Sequence, residues 1–475
     1  MKLLAVASEA YPLIKTGGLA DVVGALPAAL AAEGIAVTTV LPGYPATLAA
    51  LDHAEAADLG TWHGGPARLL RGRARGLDVA LLDAPHLFAR PGAPYTGPDG
   101  RDWPDNATRF AAFAAAAALF AREGGFDAVH AHDWQAGLVP AHLRLHGGPP
   151  SLFTIHNLAF QGQFPPSVFP LLGLPGVAYA TQGLEYYGGV GFLKAGLWYA
   201  DALTTVSPTY AAEIQTPAQG MGLDGLLRGR AGALAGILNG LDTEAWDPAT
   251  DPHLVSHFSA GDPAPRAANR AALQGAFGLP PRPDAATFAV IGRLTWQKGV
   301  DLVLEALPAI LAEGAQLVIL GTGDAELEHR CLSAAASLPG TVGTRIAFDE
   351  GLGRVLYGGA DAVLVPSRFE PCGLTQMCAM RYGALPVAAR VGGLSDTVVD
   401  ASEAALAAGW GNGFLCAPGS PEMLGAAIRR AAALRRDRDA WSGLQRNAMT
   451  ADWSWARSAR RYAELFRALV RSRAA

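Results

Sequence analysis

Leu3-Leu4-Ala5-Val6-Ala7-Ser8, then Lys15-Thr16-Gly17-Gly18, then a run over 19–33 that stops at Gly34: this stretch decides the fold. The first piece is a short apolar run. The second is a glycine-bearing loop with a cation. The third is a helical pattern closed by glycine. The next apolar run, 35–41, completes a strand–helix–strand unit. These strand runs are continuously apolar rather than alternating, as strands buried on both faces require. Further runs at 79–82, 128–131, 152–155 and 203–206 repeat the theme. The first half therefore reads as a parallel α/β sheet covered by helices on both faces. The alanine-rich stretch 110–121 is about half the ~20 residues that span a bilayer, and reads as a buried helix.

The pattern restarts after residues 244–284, a polar stretch with Trp246-Asp247-Pro248 and Pro280-Pro281-Arg282-Pro283. A strand is expected at 288–291, a helix at 300–311, and strands at 316–320, 345–348, 362–365 and 385–388. Two doubly wound domains are thus expected, 1–243 and 244–454. The segment 455–475 is a helix outside the second sheet's pattern. Ligands in open α/β sheets sit beyond the carboxyl ends of strands. Two such edges facing each other would make an interdomain cleft.

Hydrophobic residues make up 50% of the chain and charged residues 17%, which argues for packed cores and against disorder. The net charge of −5, without a basic tail, argues against a nucleic-acid partner. The four cysteines form no C-x-x-C pair, so neither a disulfide framework nor a zinc site is expected. A reducing cytoplasm fits. The first apolar run is too short for a signal peptide, and no membrane partner is expected.

Four loops carry chemistry. Lys15-Thr16-Gly17-Gly18 precedes a helix, so backbone N–H groups, the helix N-terminus and an ammonium can meet an anion. The alternative is a structural Gly-Gly turn with a solvated lysine. Gly292-Arg293-Leu294-Thr295-Trp296-Gln297-Lys298-Gly299 is its counterpart in the second half. Arg293 and Lys298 there suit one diphosphate, or form a solvated basic loop. In Arg368-Phe369-Glu370-Pro371-Cys372-Gly373-Leu374-Thr375, Glu370 suits sugar hydroxyls and the Leu374 and Thr375 N–H groups suit a phosphate. Alternatively Glu370 only caps the helix. His130-Ala131-His132-Asp133-Trp134 and His156-Asn157-Leu158 end two strands and suit substrate contact. His130 and His132 share a face but lack a third ligand, so a metal is not expected, and His130 suits a buried structural role. Asp437-Arg438-Asp439 matches a metal-binding D-x-D but lies in an arginine-rich helical stretch. Gly409-Trp410-Gly411-Asn412-Gly413 follows no strand and reads as a loop.

Taken in order, these motifs with Ser8-Glu9, Asn239-Gly240-Leu241-Asp242 and Pro366-Ser367-Arg368-Phe369-Glu370 resemble the bacterial glycogen synthase and plant starch synthase family nearly end to end. The resemblance implies two Rossmann-like domains facing across a cleft (GT-B), with the final helix crossing back to the first. It implies ADP-glucose as donor, glycogen or another α-1,4-glucan as acceptor, retention of configuration, and no metal or other cofactor. It implies that Arg293 and Lys298 bind the donor phosphates near Gly17, Gly18, Gly373, Leu374 and Thr375. Lys15 positions the donor and Glu370 holds the glucose hydroxyls. His156 lies beside the anomeric carbon, and Asp133 and Asn157 complete the sugar pocket. Tyr95, Asp133 and Trp134 lie toward the acceptor, while Asn239 and Cys372 belong to the binding motifs. Phe348, in Phe348-Asp349-Glu350, stands where the family often has an aromatic against the base. The region before Thr61 looks like a shortened loop.

Two other readings are weighed. A pyridoxal-phosphate glucan phosphorylase needs a much longer chain. A catalytically dead glucan-binding or sugar-nucleotide-sensing protein has no need of Lys15, His156, Arg293, Lys298 and Glu370 together.

Overall fold

A computed structural model describes residues 1–474. The chain forms two compact units: Met1–Gly240 with the segment from Trp455, and Leu241–Ser454.

The strands of the first unit are β1 (Lys2–Val6), β2 (Ala36–Pro42), β3 (Leu51–Trp62), β4 (Gly65–Ala74), β5 (Leu77–Asp83), β6 (Ala128–His132) and β7 (Ser151–Ile155). They continue with β8 (Gln163–Phe164), β9 (Glu185–Tyr186), β10 (Gly189–Gly191), β11 (Ala202–Thr205) and β12 (Leu234–Gly236). Nine of them form one sheet in the order β12-β11-β7-β6-β1-β2-β5-β4-β3, and β8, β10 and β9 form a small second sheet. The pairs around β1 are parallel, and β1, β6 and β7 are buried apart from Lys2, as strands covered on both faces are. The strand order reverses at β1: β2 lies on one side and β6 on the other.

The second unit holds β13 (Thr287–Ile291), β14 (Gln316–Gly321), β15 (Val342–Ile346), β16 (Ala362–Val365), β17 (Leu385–Ala389) and β18 (Phe414–Cys416). They make one parallel sheet in the order β15-β14-β13-β16-β17-β18, with its reversal at β13.

Three sequence expectations change. The region before Thr61 is no loop: β3 pairs antiparallel with β4 over nearly its whole length. The helix expected over 300–311 is two, Val300–Glu305 and Leu307–Ala312. Pro308 has no N–H to give to Leu304 and its ring crowds that carbonyl, so the helix breaks one turn in. The strand expected at 345–348 lies at Val342–Ile346, and Phe348 projects beyond it, 85% exposed. The alanine-rich stretch lies inside the buried helix Asn106–Glu123.

The last helix, Trp455–Ala474, belongs to the first unit. Tyr462, Ala463 and Phe466 are fully buried against Val22, Leu26 and Leu30 of helix Gly18–Ala32. Gly240 gives this helix its entry: a Cβ there would sit 2.5 Å from the Trp455 Cα. No helix among the described residues is long and apolar enough to cross a membrane.

Candidate active site

Both sheets reverse their order at a central strand, so in each unit the loops leaving that strand and its later neighbour flank a crevice. In the first unit these are the loops after β1 and β6, joined by the loop after β7. In the second they are the loops after β13 and β16.

After β1, Glu9 is 2% exposed and is encircled by donors. The Thr16 hydroxyl donates to it at 2.6 Å, and the Thr16 N–H and the Tyr95 hydroxyl also bind it. The Ser8 and Tyr95 hydroxyls lie 2.6 Å apart. Glu9 thus fixes the loop that carries Lys15, Gly17 and Gly18. Helix Gly18–Ala32 starts without a side-chain cap, so its first N–H groups are open to an anion. A Cβ on Gly17 or Gly18 would meet nothing within 4 Å, and Gly17 is in an extended conformation. The fold itself does not demand glycine there; the clearance is on the open side, where a ligand would sit. Lys15 is not a free charge, because its ammonium lies 2.7 Å from Asp21.

After β6 and β7, a buried polar ladder forms. His130 Nε2 meets Thr154 Oγ1 at 2.6 Å, and His132 Nδ1 meets His156 Nε2 at 2.9 Å. Burial pushes His130 and His156 down to about 3 and His132 well below the usual histidine range, so all three are neutral. His130 is structural, packed on Tyr462 and Phe466 of the last helix. Asp133 has φ +54° and ψ −175°, a region that costs a non-glycine residue about 1–3 kcal/mol. Its carboxylate accepts the His156 N–H at 2.7 Å. Burial raises its pKa to about 7. Asp133 therefore holds the backbone at His156. Asn157 turns its carboxamide oxygen onto the Ala159 N–H. Trp134 is only 9% exposed and lies edge-on to Phe110, a core position rather than an open face. Asn239 is 8% exposed, and its Oδ1 has no hydrogen-bond partner among the described residues.

In the second unit the loops after β13 and β16 are laced together. The Arg368 N–H donates to the Gln297 carbonyl, and the Gln297 carboxamide donates to the Phe369 carbonyl. Arg368 forms a two-pronged pair with Asp301, at 2.6 and 2.9 Å. Gly299 has φ +69°, and a Cβ there would strike the Pro366 carbonyl at 2.3 Å. Lys298 reaches Glu370 at 2.6 Å, and the Ser367 hydroxyl donates to the same carboxylate at 2.9 Å. Glu370 is 5% exposed. Arg293 is exposed and makes no ion pair among the described residues. Cys372 lies against the start of helix Gly392–Thr397, the Gly393 N–H donates to the Glu370 carbonyl, and Gly373 turns the chain with φ +73°. Leu374 precedes helix Thr375–Arg381.

Residues 2–229 match the starch synthase catalytic domain family, and residues 277–447 match glycosyl transferases group 1. A glycogen synthase of Rhodopseudomonas palustris (strain BisB18) is 56% identical, over 99% of this chain and 98% of its own. One of Acidiphilium cryptum is also 56% identical, over 99% of this chain and all of its own. The chain belongs to the glycogen synthase and starch synthase family. Among solved structures, the catalytic domain of starch synthase IV from Arabidopsis thaliana, bound to ADP and acarbose, superposes with TM-score 0.89 at 32% identity, over 98% of this chain and 99% of that one. Sucrose-phosphate synthase from Thermosynechococcus elongatus shares the fold, at TM-score 0.61 and 19% identity. As a member of the glycogen synthase family, the chain is a GT-B glucosyltransferase.

Two features of this family member escape sequence reading. Glu9 was legible only as a motif letter, although a carboxylate directly after a buried strand and before a glycine loop is a signal in itself. Arg368 with Asp301 joins residues 67 apart, and nothing local marks the pair. The D-x-D stretch is a helix start: Asp437 accepts the Ala440 N–H. Among the described residues, no group of three His, Cys, Asp or Glu side chains is placed to hold a metal ion.

The histidine ladder makes an acid-stability prediction. The unfolded chain takes up a proton near pH 6.5 that buried His130 refuses until about 3. This contribution is fully present above pH 6.5 and is lost as pH falls toward 3. His130→Phe keeps the ring packing and removes one such group. The slope of unfolding free energy against pH, measured by denaturation between about pH 6 and 4.5, is expected to fall by about 1.4 kcal/mol per pH unit. An unchanged slope would mean that His130 titrates within the fold.

Proposed function

We propose that the protein transfers glucose from ADP-glucose to the non-reducing end of an α-1,4-glucan such as glycogen, with retention, in the cytoplasm and without a metal ion. One observation carries this reading. At the reversal point of the second sheet, a buried carboxylate (Glu370) holds Lys298, and the loop that carries Lys298 also carries the exposed Arg293, which makes no ion pair among the described residues. Two cations on one loop, one of them held by a hydrogen-bonding carboxylate, suit a diphosphate attached to a sugar. The ADP bound by the starch synthase relative supports adenine as the base, and exposed Phe348 offers a face for it.

Glucosyl transfer passes through an oxocarbenium-like state while negative charge builds on the leaving diphosphate. In this reading Arg293, Lys298 and the Thr375 N–H stabilise that charge. Glu370 takes sugar hydroxyls. Neutral His156, its Nε2 engaged by His132, offers its other ring nitrogen to the sugar and its carbonyl to the developing cation. Asp133 keeps that carbonyl in place, and Asn157 adds an amide. Attack occurs on the face the diphosphate leaves, and its phosphate takes the acceptor's proton.

The direct test is nucleotide release with glycogen and either ADP-glucose or UDP-glucose, with and without EDTA. ADP-glucose is expected to be preferred by at least about ten-fold, worth ~1.4 kcal/mol, with EDTA without effect. Preference for UDP-glucose would replace the donor, and loss of turnover in EDTA would replace the electrostatic arrangement.

A further inference from the structure

The segment that carries His156 runs on to a second surface of the first unit. Phe160 is half exposed, and its N–H donates to the Asn157 carbonyl. The Gln161 carboxamide donates to the Met221 carbonyl at 3.0 Å, and the Tyr186 hydroxyl donates to the same carbonyl at 3.3 Å. Tyr186 then meets Tyr187 edge to face, with centroids 4.7 Å apart. Tyr187 is 84% exposed. A continuous series of contacts thus links the histidine loop to an exposed aromatic ring.

That ring is held out at a conformational cost. Tyr187 and Gly188 join β9 to β10 with φ of +50° and +78°, a two-residue turn with both residues left-handed, where Asn-Gly is preferred. Tyrosine there is strained. The turn is nonetheless pinned: the Gly188 N–H donates to Glu185 at 2.7 Å, and the Tyr179 hydroxyl donates to the Gly188 carbonyl at 2.9 Å. Met221 is also left-handed, at φ +48°. A Cβ on the following Gly222 would lie 2.6 Å from the Tyr186 hydroxyl and 3.5 Å from that of Tyr187. The 221–222 turn therefore closes under both rings only with glycine.

A glucan chain presents the apolar C–H faces of its glucose rings with hydroxyls along the edges. An exposed phenol, with an apolar ring face and a hydroxyl at its edge, matches both features. Only the terminal glucose of the acceptor occupies the reacting position, so the remainder must leave along the protein surface. We propose that Tyr187, with the 221–222 turn it packs on, forms a distal subsite that binds the α-1,4-glucan chain beyond its reacting end. The identity of the occupant rests on the glucosyl-transfer reading above.

Tyr187→Asn tests this in the full chain. Asparagine suits the left-handed turn, so the variant removes the ring while relaxing the backbone. KM is measured for glycogen, maltoheptaose, maltotriose and ADP-glucose, together with retardation in native gels containing glycogen. KM for glycogen and maltoheptaose is expected to rise about ten-fold, with the gel retardation reduced to match, whereas maltotriose and ADP-glucose stay within about two-fold. Unchanged long-acceptor KM and retardation overturn the subsite, as does an equal loss on maltotriose. A wild-type protein that binds glycogen but releases no nucleotide defeats the transfer reading instead, and the gel then decides the subsite by itself.

Discussion

Arg293→Ala is expected to lower kcat about 100- to 1,000-fold, or about 3–4 kcal/mol, with the thermal midpoint unmoved. Arg293 is exposed and holds no ion pair among the described residues, so its removal breaks no ion pair of the fold. Its guanidinium is left to act on charge that grows as the diphosphate departs. An interaction stronger in the transition state than in the ground state appears in kcat. Lys298→Ala is expected to match that loss of rate and also to lower stability. It would leave Glu370, 5% exposed, with only the Ser367 hydroxyl. Breaking a fully buried pair costs about 3–5 kcal/mol. Lys298 is one-quarter exposed, so about 1–2 kcal/mol is the expected loss after solvent screening. Single-turnover nucleotide release and calorimetry separate the two effects. Near-normal turnover in both variants would remove the cations from the chemistry.

The fold was legible where burial is two-sided. β1, β7, β13 and β16 read as unbroken apolar runs because helices cover both of their faces. The hairpin of β3 and β4 was not legible, for the opposite reason. β3 is an edge strand with nearly every side chain exposed, and its pairing is marked by charges opposite one another: Asp52 with Arg73, Glu55 with Arg71, Asp58 with Arg68. Charges and register shifts are how edge strands avoid other chains, and they erase the hydrophobic signal. β15 is also an edge strand, which explains why its limits were misjudged by three residues at the start.

The site was legible as loops but not as contacts. Glycine, cation and carboxylate marked the loops after β1, β13 and β16. The sequence carried no sign that Lys15 is neutralised by Asp21, that Asp133 clamps the His156 backbone, or that Tyr95 has its hydroxyl committed to Ser8 and Glu9. Each of these joins groups brought together by chain folding, except Lys15 with Asp21, which lie six residues apart across the start of helix Gly18–Ala32.

Glu370 separates two routes to retention. If it only orients the donor, Glu370→Gln keeps an acceptor oxygen for the sugar hydroxyls and for Ser367, and loses mainly its charge on Lys298. If it attacks the anomeric carbon, the amide is as inert as a deletion. Geometry favours orientation: the carboxylate is 5% exposed and already holds Lys298 and Ser367, whereas a nucleophile needs a free oxygen aimed at carbon. Glu370→Ala is therefore expected to lower kcat by about 1,000-fold, and Glu370→Gln to retain at least about ten times more activity than Glu370→Ala. Mass spectrometry of the quenched wild-type enzyme is expected to show no glucosyl adduct. Equal inactivity of both variants, with a glucosyl ester trapped on Glu370, would establish double displacement and withdraw same-face attack.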